Sequence, residues 1–393
     1  MQTSKHLLTL GQTGWFKTKY QPAATTLFAP HLLLVGQTGS GKSTTLKQIS
    51  RQLQENRLGQ IIFDPTGEFS RANNQQVSYV VGKNVYFDLS QLATEDLLTA
   101  LDLTWPTKWQ LLLGQAQAAL RINYYLNHQQ KDILNTQSLT TDAFYEQKSQ
   151  LYKNQWTFSL SLLAPQLRLL ARQGFADHEE SLDDTDPDLT TAIDQLAERL
   201  ADPRLKAIAP NTQVKTTKYD LLYLLKLATA KADFGAKISI NLAQLKDLGA
   251  LQATIMSTVW RQLLSFQAQS THKATVYLLI DEGHRFLMKN NQADQDKGSG
   301  LAQILREGRK EGLLVAFASQ SPLDLPTALL GQFSATIAHR LTNQNEWQAL
   351  PPLLTNSAKT GKKLGQLQTG QAIVKIGQKP GRTVTIFASK TNQ

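Results

Sequence analysis

The segment from Leu32 to Ser43 reads LLLVGQTGSGKS, and its residue types suit one task, holding a phosphate chain. Gly36, Gly39 and Gly41 permit a turn tight enough for successive backbone N–H groups to curl around an anion. The apolar run Leu32 to Val35 predicts a short buried strand before that turn, and Leu46 and Ile49 predict the apolar face of a helix after it. The positive end of that helix would face the same anion. With strand, loop and helix in this order the segment fits G-x-x-x-x-G-K-[ST]. Lys42 would reach the β- and γ-phosphates, and the Ser43 hydroxyl would hold Mg2+.

Other segments end apolar runs on groups that could act on such a ligand. Gln60 to Asp64 leads into DPTGEF, where Asp64 either faces a metal or the attacking water or simply caps a polar turn. Ala274 to Glu282 reads ATVYLLIDE: Asp281 would complete the Mg2+ shell and Glu282 would orient or deprotonate the attacking water. A continued strand would put these two carboxylates on opposite faces. Leu313 to Ser319 ends at Gln320, placed to sense a γ-phosphate or align water. A helix over Leu301 to Lys310 ends in Arg306, Arg309 and Lys310, which either complement its dipole or supply an arginine to a neighbouring subunit's γ-phosphate. His178 and His284 match no metal-ligand spacing.

These groups need a sheet to bring them together. Strand, phosphate loop, helix and further strands ending in acids or Gln predict an α/β fold with mostly parallel strands. The acids lie far along the chain from the phosphate loop, which suits a RecA-like P-loop arrangement with an extra strand between the two motifs. Apolar residues at helical spacing from about Thr94 to Lys231 predict a large all-helical insertion. The expected organisation is therefore 1–93 and 233–393 as two parts of one ATPase core, with 94–232 inserted. Within the insertion, Asp177 to Asp188 reads as a solvated acidic linker. Met1 to Pro30 contributes one or two strands, with Trp15 and Phe16 as packing residues rather than a base-stacking platform. Gln371 to Ile376 and Thr383 to Phe387 close the chain as strands around Pro380-Gly381.

Composition narrows the partners. The chain has 393 residues, 41% of them hydrophobic, and a net charge of +10, which favours a polyanion, nucleic acid before membrane. With no cysteine, disulfides, thiolate zinc sites and cysteine nucleophiles are excluded, in keeping with a cytoplasmic location. The first residues carry no signal-peptide pattern, and no apolar run is long enough for membrane insertion; Leu221 to Ala230 is interrupted by Lys226.

The ordered set GQTGSGKS, IIFDPTGEF, LLIDEGHRF, LREGRKEGLLVAFASQSP and LGQLQTGQAIV resembles the HerA–FtsK superfamily of ring-forming DNA motors, HerA more closely than FtsK. The resemblance implies that Gly36, Gln37, Thr38, Gly39, Ser40, Gly41, Lys42, Ser43 and Thr44 bind ATP with Mg2+, and that Asp64 and Glu68 belong to the acidic signature after the second strand. It further implies Asp281 and Glu282 as metal and water residues, Arg306 as a trans-acting finger with Arg309 and Lys310 beside it, and Gln320 as the γ-phosphate sensor. The expected activity is an ATP hydrolase that translocates double-stranded DNA, a homo-oligomer (a hexamer) with duplex through its pore and a nuclease or other defence effector as partner. Arg285, Lys289 and Lys297 are candidate DNA contacts. There are two departures: about 30 residues stand where the family carries a β-barrel, and Pro30-His31 stands where it carries Arg-His. Two alternatives stay open, a regulatory or scaffolding ATPase ring that activates a partner effector and a conjugation- or secretion-type ATPase. A metabolic kinase fits least.

Overall fold

The computed structural model describes residues 6–71, 78–151, 157–176, 187–209, 217–287, 299–350, 358–377 and 379–387. Lys289, Lys297, His178 and most of the acidic linker lie outside them. The chain forms two compact units, one made of Met1–Val80, Leu222–Gly249 and Met256–Gln393, the other of Val81–Leu221 with Ala250–Ile255.

The first unit is built on a sheet. Its apolar runs become β3 (Leu32–Val35), β4 (Gln60–Asp64), β9 (Val276–Ile280) and β10 (Leu313–Ser319), and every residue of the four is buried. Strands buried on both faces and read as continuous apolar runs belong in a parallel sheet covered by helices. They are joined by β5 (Tyr79–Val80), β8 (Lys237–Asn241) and β11 (Ala335–Ala338), which also run parallel. β1 (Gly11–Thr13), β2 (Thr18–Tyr20), β12 (Gln371–Ile376) and β13 (Arg382–Ile386) extend the sheet antiparallel. The order is β2-β1-β13-β12-β11-β3-β10-β9-β4-β8-β5. β10 thus lies between the phosphate-loop strand and the Asp-Glu strand, the extra strand expected of a RecA-like core. Its register aligns Ser319 with Val35 and Phe317 with Ile280, so three functional segments leave the sheet at one end. Ligands gather at that carboxyl end in open α/β sheets.

The helix Lys42–Glu55 buries Leu46, Ile49 and Leu53 against Leu32 and Leu34 in the main core. It ends at Glu55, and Arg57 just beyond takes a left-handed conformation, φ 53. Gly59 is a close-approach point, where a Cβ would lie 2.5 Å from Ala232.

His31, just before β3, is fully buried, with Nε2–H donating to the Leu305 carbonyl at 3.0 Å and Nδ1 accepting the Val315 N–H at 3.1 Å. Accepting at Nδ1 requires the neutral ring, and burial pushes its pKa down to about 4 from 6.5. Between those values the unfolded chain binds a proton that the folded chain does not. This stabilisation is therefore complete above pH 6.5 and is lost as pH falls toward 4, on the order of 3 kcal/mol in all. His31→Gln should flatten the fall of the urea midpoint between about pH 7 and 4. An unchanged slope would assign the acid limb to other groups.

Trp15 and Phe16 do not pack, contrary to expectation. The Thr13↔Thr18 pairing leaves Gly14 to Lys17 as the loop of the β1–β2 hairpin, with Gly14 at φ 71 and Lys17 at φ 51. The tip projects from the sheet edge, so the rings are 94% and 92% exposed. Leaving each in water forgoes roughly 4 kcal/mol of burial.

In the second unit the helix Thr107–Tyr125 packs on Leu163–Gln173, which packs on Pro187–Ala201. A short parallel pair, β6 (Val85–Tyr86) and β7 (Tyr219–Asp220), joins chain segments from its two ends. Tyr219, helical by spacing, is therefore a strand residue, and the helix begins at Leu221.

Candidate functional site

The phosphate loop is held from beneath. Gly36 sits at φ 154 with its missing Cβ 2.5 Å from the His339 Cβ, and Gly41 sits at φ 114, so neither position admits a side chain without rearrangement. The Gln37 N–H donates to the Arg340 carbonyl at 3.0 Å, and the Ser40 N–H and Oγ both donate to the Gln37 carbonyl, at 3.1 and 2.6 Å. No side chain caps the helix at Gly41, so its first N–H groups remain for the loop's ligand.

Lys42 is 5% exposed; its Nζ donates to the Gly36 carbonyl at 2.7 Å and lies 4.0 Å from the Glu282 carboxylate. Burial lowers its pKa, and Glu282, Asp281 and Asp324 oppose that shift. The carboxylates Asp281 and Glu282 do not point to opposite faces. The strand ends at Ile280, and Glu282 takes the left-handed conformation, φ 41, which turns both acids toward the phosphate loop. A non-glycine residue held there is strained, a feature that clusters at functional sites.

The Ser43 hydroxyl lies 3.5 Å from Asp281 Oδ2. Burial first, and then the nearby Glu282, Asp64 and Glu68 carboxylates, push the Asp281 carboxyl up to about 6. This excess of negative potential around oxygen donors fits a hard divalent cation. Among the described residues no group of three or more His, Asp or Glu side chains could hold a metal ion alone. Mg2+ takes one or two protein carboxylates and completes its shell with phosphate and water, and Ser43 with Asp281 supplies oxygen donors of that kind.

Gln320 joins the same cluster, its Nε2 donating to Glu282 Oε2 at 3.1 Å and its Oε1 accepting from the Thr38 hydroxyl at 3.3 Å. Sequence reasoning missed three neighbours. His284 Nδ1 lies 3.4 Å from Glu282 Oε2 and 3.8 Å from Asp324 Oδ2, and Asp324 accepts from the Ser319 hydroxyl. His339, fully buried, donates from Nδ1 to the Gln371 carbonyl at 2.9 Å and accepts at Nε2 from the Thr45 hydroxyl at 2.8 Å. Burial, helped by Lys42, pushes its pKa down to about 4, so it is a neutral brace joining β12 to the phosphate-loop helix. A signal for it existed: ATIAH is an apolar run ending in a polar residue, as LLID and AFASQ are.

Of the two readings of Asp64, the contacts are those of the turn cap. Its Oδ1 accepts from the Thr66 N–H and hydroxyl and the Gly67 N–H, and its Oδ2 from the Phe69 N–H, at 2.8 to 3.2 Å. A carboxylate so engaged shapes its own turn, and the geometry gives the metal role no support. Glu68 follows it as an exposed residue, near enough to Asp281 to raise its pKa.

Arg306 is not brought to this cluster. Its helix, Gly300–Glu307, ends at the opposite end of the sheet, where Leu305 meets His31. The length of β10, roughly 20 Å, separates it from Gln320. Arg285 is exposed just beyond Glu282.

The family model described as the central domain of helicase HerA matches residues 23–264, and that described as helicase HerA-like C-terminal matches 241–389. The DNA double-strand break repair helicase HerA of Sulfolobus acidocaldarius is 22% identical over 350 residues, covering 88% of this chain and 62% of that protein. Its counterpart in Saccharolobus solfataricus is 23% identical with the same coverage. The chain spans about 62% of the length of these curated relatives. Among solved structures, VirB4 of Thermoanaerobacter pseudethanolicus matches with TM-score 0.63 at 14% identity, covering 98% of each chain. The plasmid coupling protein TrwB in complex with ADP and Mg2+ matches with TM-score 0.58 at 14% identity, covering 100% of this chain and 92% of that one. Those likenesses concern the fold, that of RecA-like P-loop ATPases. The HerA central-domain match takes in more than half of the 393 residues, and the chain belongs to the HerA helicase family.

Proposed function

We propose that this chain is the ATPase core of a motor that translocates double-stranded DNA as a homo-oligomeric ring. The observation that carries the reading is the 4.0 Å approach of Lys42 to Glu282, with Ser43 and Asp281 beside them. Residues 36–44 bind the triphosphate of ATP through backbone N–H groups, and Lys42 takes the charge of the β- and γ-phosphates. Ser43 and Asp281 would hold Mg2+, which when bound neutralises charge developing on the phosphate oxygens. Glu282 orients and deprotonates the attacking water, held in place by Gln320 and His284. Gln320 also contacts Thr38 in the loop, so it can report whether a γ-phosphate is present.

Arg306 lies too far from its own phosphate loop to act there, so its role requires another protomer. Arg306→Ala should abolish turnover by the assembled protein while leaving ATP binding intact. Mixing it with Lys42→Ala chains should restore part of the turnover, because an intact loop on one chain then meets an intact arginine on the other. Absence of rescue, with mixed oligomers demonstrated by mass, would remove the finger assignment.

Support for DNA as substrate comes from the +10 charge and from relatives named as DNA repair helicases. Phosphate contacts without base readout suit translocation along any sequence. A hexamer with a nuclease or other effector as partner extends this reading. Mass measurement with and without ATP and blunt duplex, paired with ATPase rates, tests assembly and substrate together. Stimulation by bare duplex supports the motor, whereas stimulation only by a partner protein supports the regulatory ring. Among the described residues no helix is long and apolar enough to cross a membrane.

A further inference from the structure

We propose that the tip of the β1–β2 hairpin is a separate nucleic-acid contact that takes unpaired bases, an inference that rests on the DNA reading above. Strand direction places this tip. Gly11 pairs with Ile386, whose N–H donates to the Gly370 carbonyl, and the Gly370 N–H donates to Ser40 in the phosphate loop. Gly11 is therefore at the phosphate-loop end of the sheet, and Trp15 and Phe16 are at the far end.

The adjoining β12–β13 hairpin turns at that same far end, tied to the first by the Thr13 hydroxyl donating to the Thr383 carbonyl at 2.8 Å. Together the two hairpins present Lys17, Lys19, Lys379 and Arg382, all exposed. Residues 11–20 and 371–387 contain no Asp or Glu, so nothing within either hairpin neutralises these cations. Two flat rings with flanking cations, on hairpins whose own residues include no carboxylate, match what a single strand offers, base faces for stacking and phosphates on either side. A second copy meeting this patch with its own, about a two-fold axis, would set the same positive charge against it, which disfavours that mode of self-association. The tip would hold frayed or displaced bases while the duplex is engaged elsewhere on the protein.

The test uses the full chain, a fluorescent blunt duplex of about 20 base pairs, and the same duplex carrying a dT overhang of about ten nucleotides. Wild type should bind the overhang substrate more tightly. Trp15→Ala/Phe16→Ala should weaken overhang binding by about tenfold or more while changing blunt-duplex affinity by less than about twofold. ATP binding should not change. Lys17→Gln/Lys19→Gln/Arg382→Gln should lower the salt slope of overhang binding by about two. Unchanged overhang affinity in the double-alanine variant overturns the assignment. If that variant instead forms a smaller oligomer, the tip is a contact between copies; if it instead loses retention on phosphatidylserine vesicles, the tip is a lipid anchor. Retained blunt-duplex binding with indifference to the overhang sinks the hairpin alone. Failure of wild type to bind either substrate sinks the DNA reading and the hairpin contact with it.

Discussion

Lys42→Ala should lower ATP turnover by about a thousandfold or more and remove most of the affinity for the triphosphate. The reason is the position of this ammonium group. It is buried, held by the Gly36 carbonyl at 2.7 Å, and faces the Glu282 carboxylate across 4.0 Å. A buried cation pointing into an anion-binding loop contributes in proportion to the charge it meets, and that charge is largest on the transferring phosphoryl group. Alanine also leaves Glu282 facing the loop without its counter-charge, so a triphosphate would meet net repulsion. Calorimetric titration with a non-hydrolysable ATP analogue, together with phosphate-release rates, measures both effects. A thermal melt of the same samples separates them from unfolding. Turnover within about tenfold of wild type would leave the proposed chemistry without its principal charge.

Glu282→Gln should behave differently, keeping ATP bound while hydrolysis falls by about a hundredfold to ten-thousandfold. The amide is nearly isosteric with the carboxylate, so contacts with Gln320 and His284 can persist, and the left-handed backbone at Glu282 is unaffected. What disappears is the ability to take a proton from water. Removing one negative charge beside Asp281 should also let that carboxyl ionise more readily, since Glu282 helps hold its pKa at about 6. The readout is bound ATP recovered unhydrolysed after gel filtration, compared with Lys42→Ala, from which none should be recovered. Undiminished hydrolysis would move the base to another carboxylate, and Glu68, the exposed acid that acts electrostatically on Asp281, would be the first to test.

The two variants divide the site along a line that is also visible in how it is encoded. The phosphate loop was legible because all its determinants are local. Glycines where backbone must curl, an apolar strand before them and an amphipathic helix after them lie within one short segment. The strand-end acids and Gln320 were legible for a related reason, since a buried run that stops at a polar group marks the carboxyl end of a parallel strand. His339 carried the same mark, yet only the pairing of β11 with β3 and β12 puts its ring under Gly36 and Gly41.

Residue order alone thus determined the chemistry on offer: a triphosphate cradle, a lysine, a hydroxyl, carboxylates and a cationic chain without cysteine. Tertiary structure decided which of these groups meet. The insertion of β10 between β3 and β9 sets the spacing across the site, and the turn at Glu282 brings both acids to one side. Four local donors draw Asp64 into its own loop, and the length of β10 keeps Arg306 at the far end. The exposure of Trp15 and Phe16 depends on whether any element covers the hairpin tip. Strand order, burial and reach all arise from contacts between residues distant along the chain. Local spacing carries no record of such contacts, because each is settled by the free energy of packing the whole sheet at once.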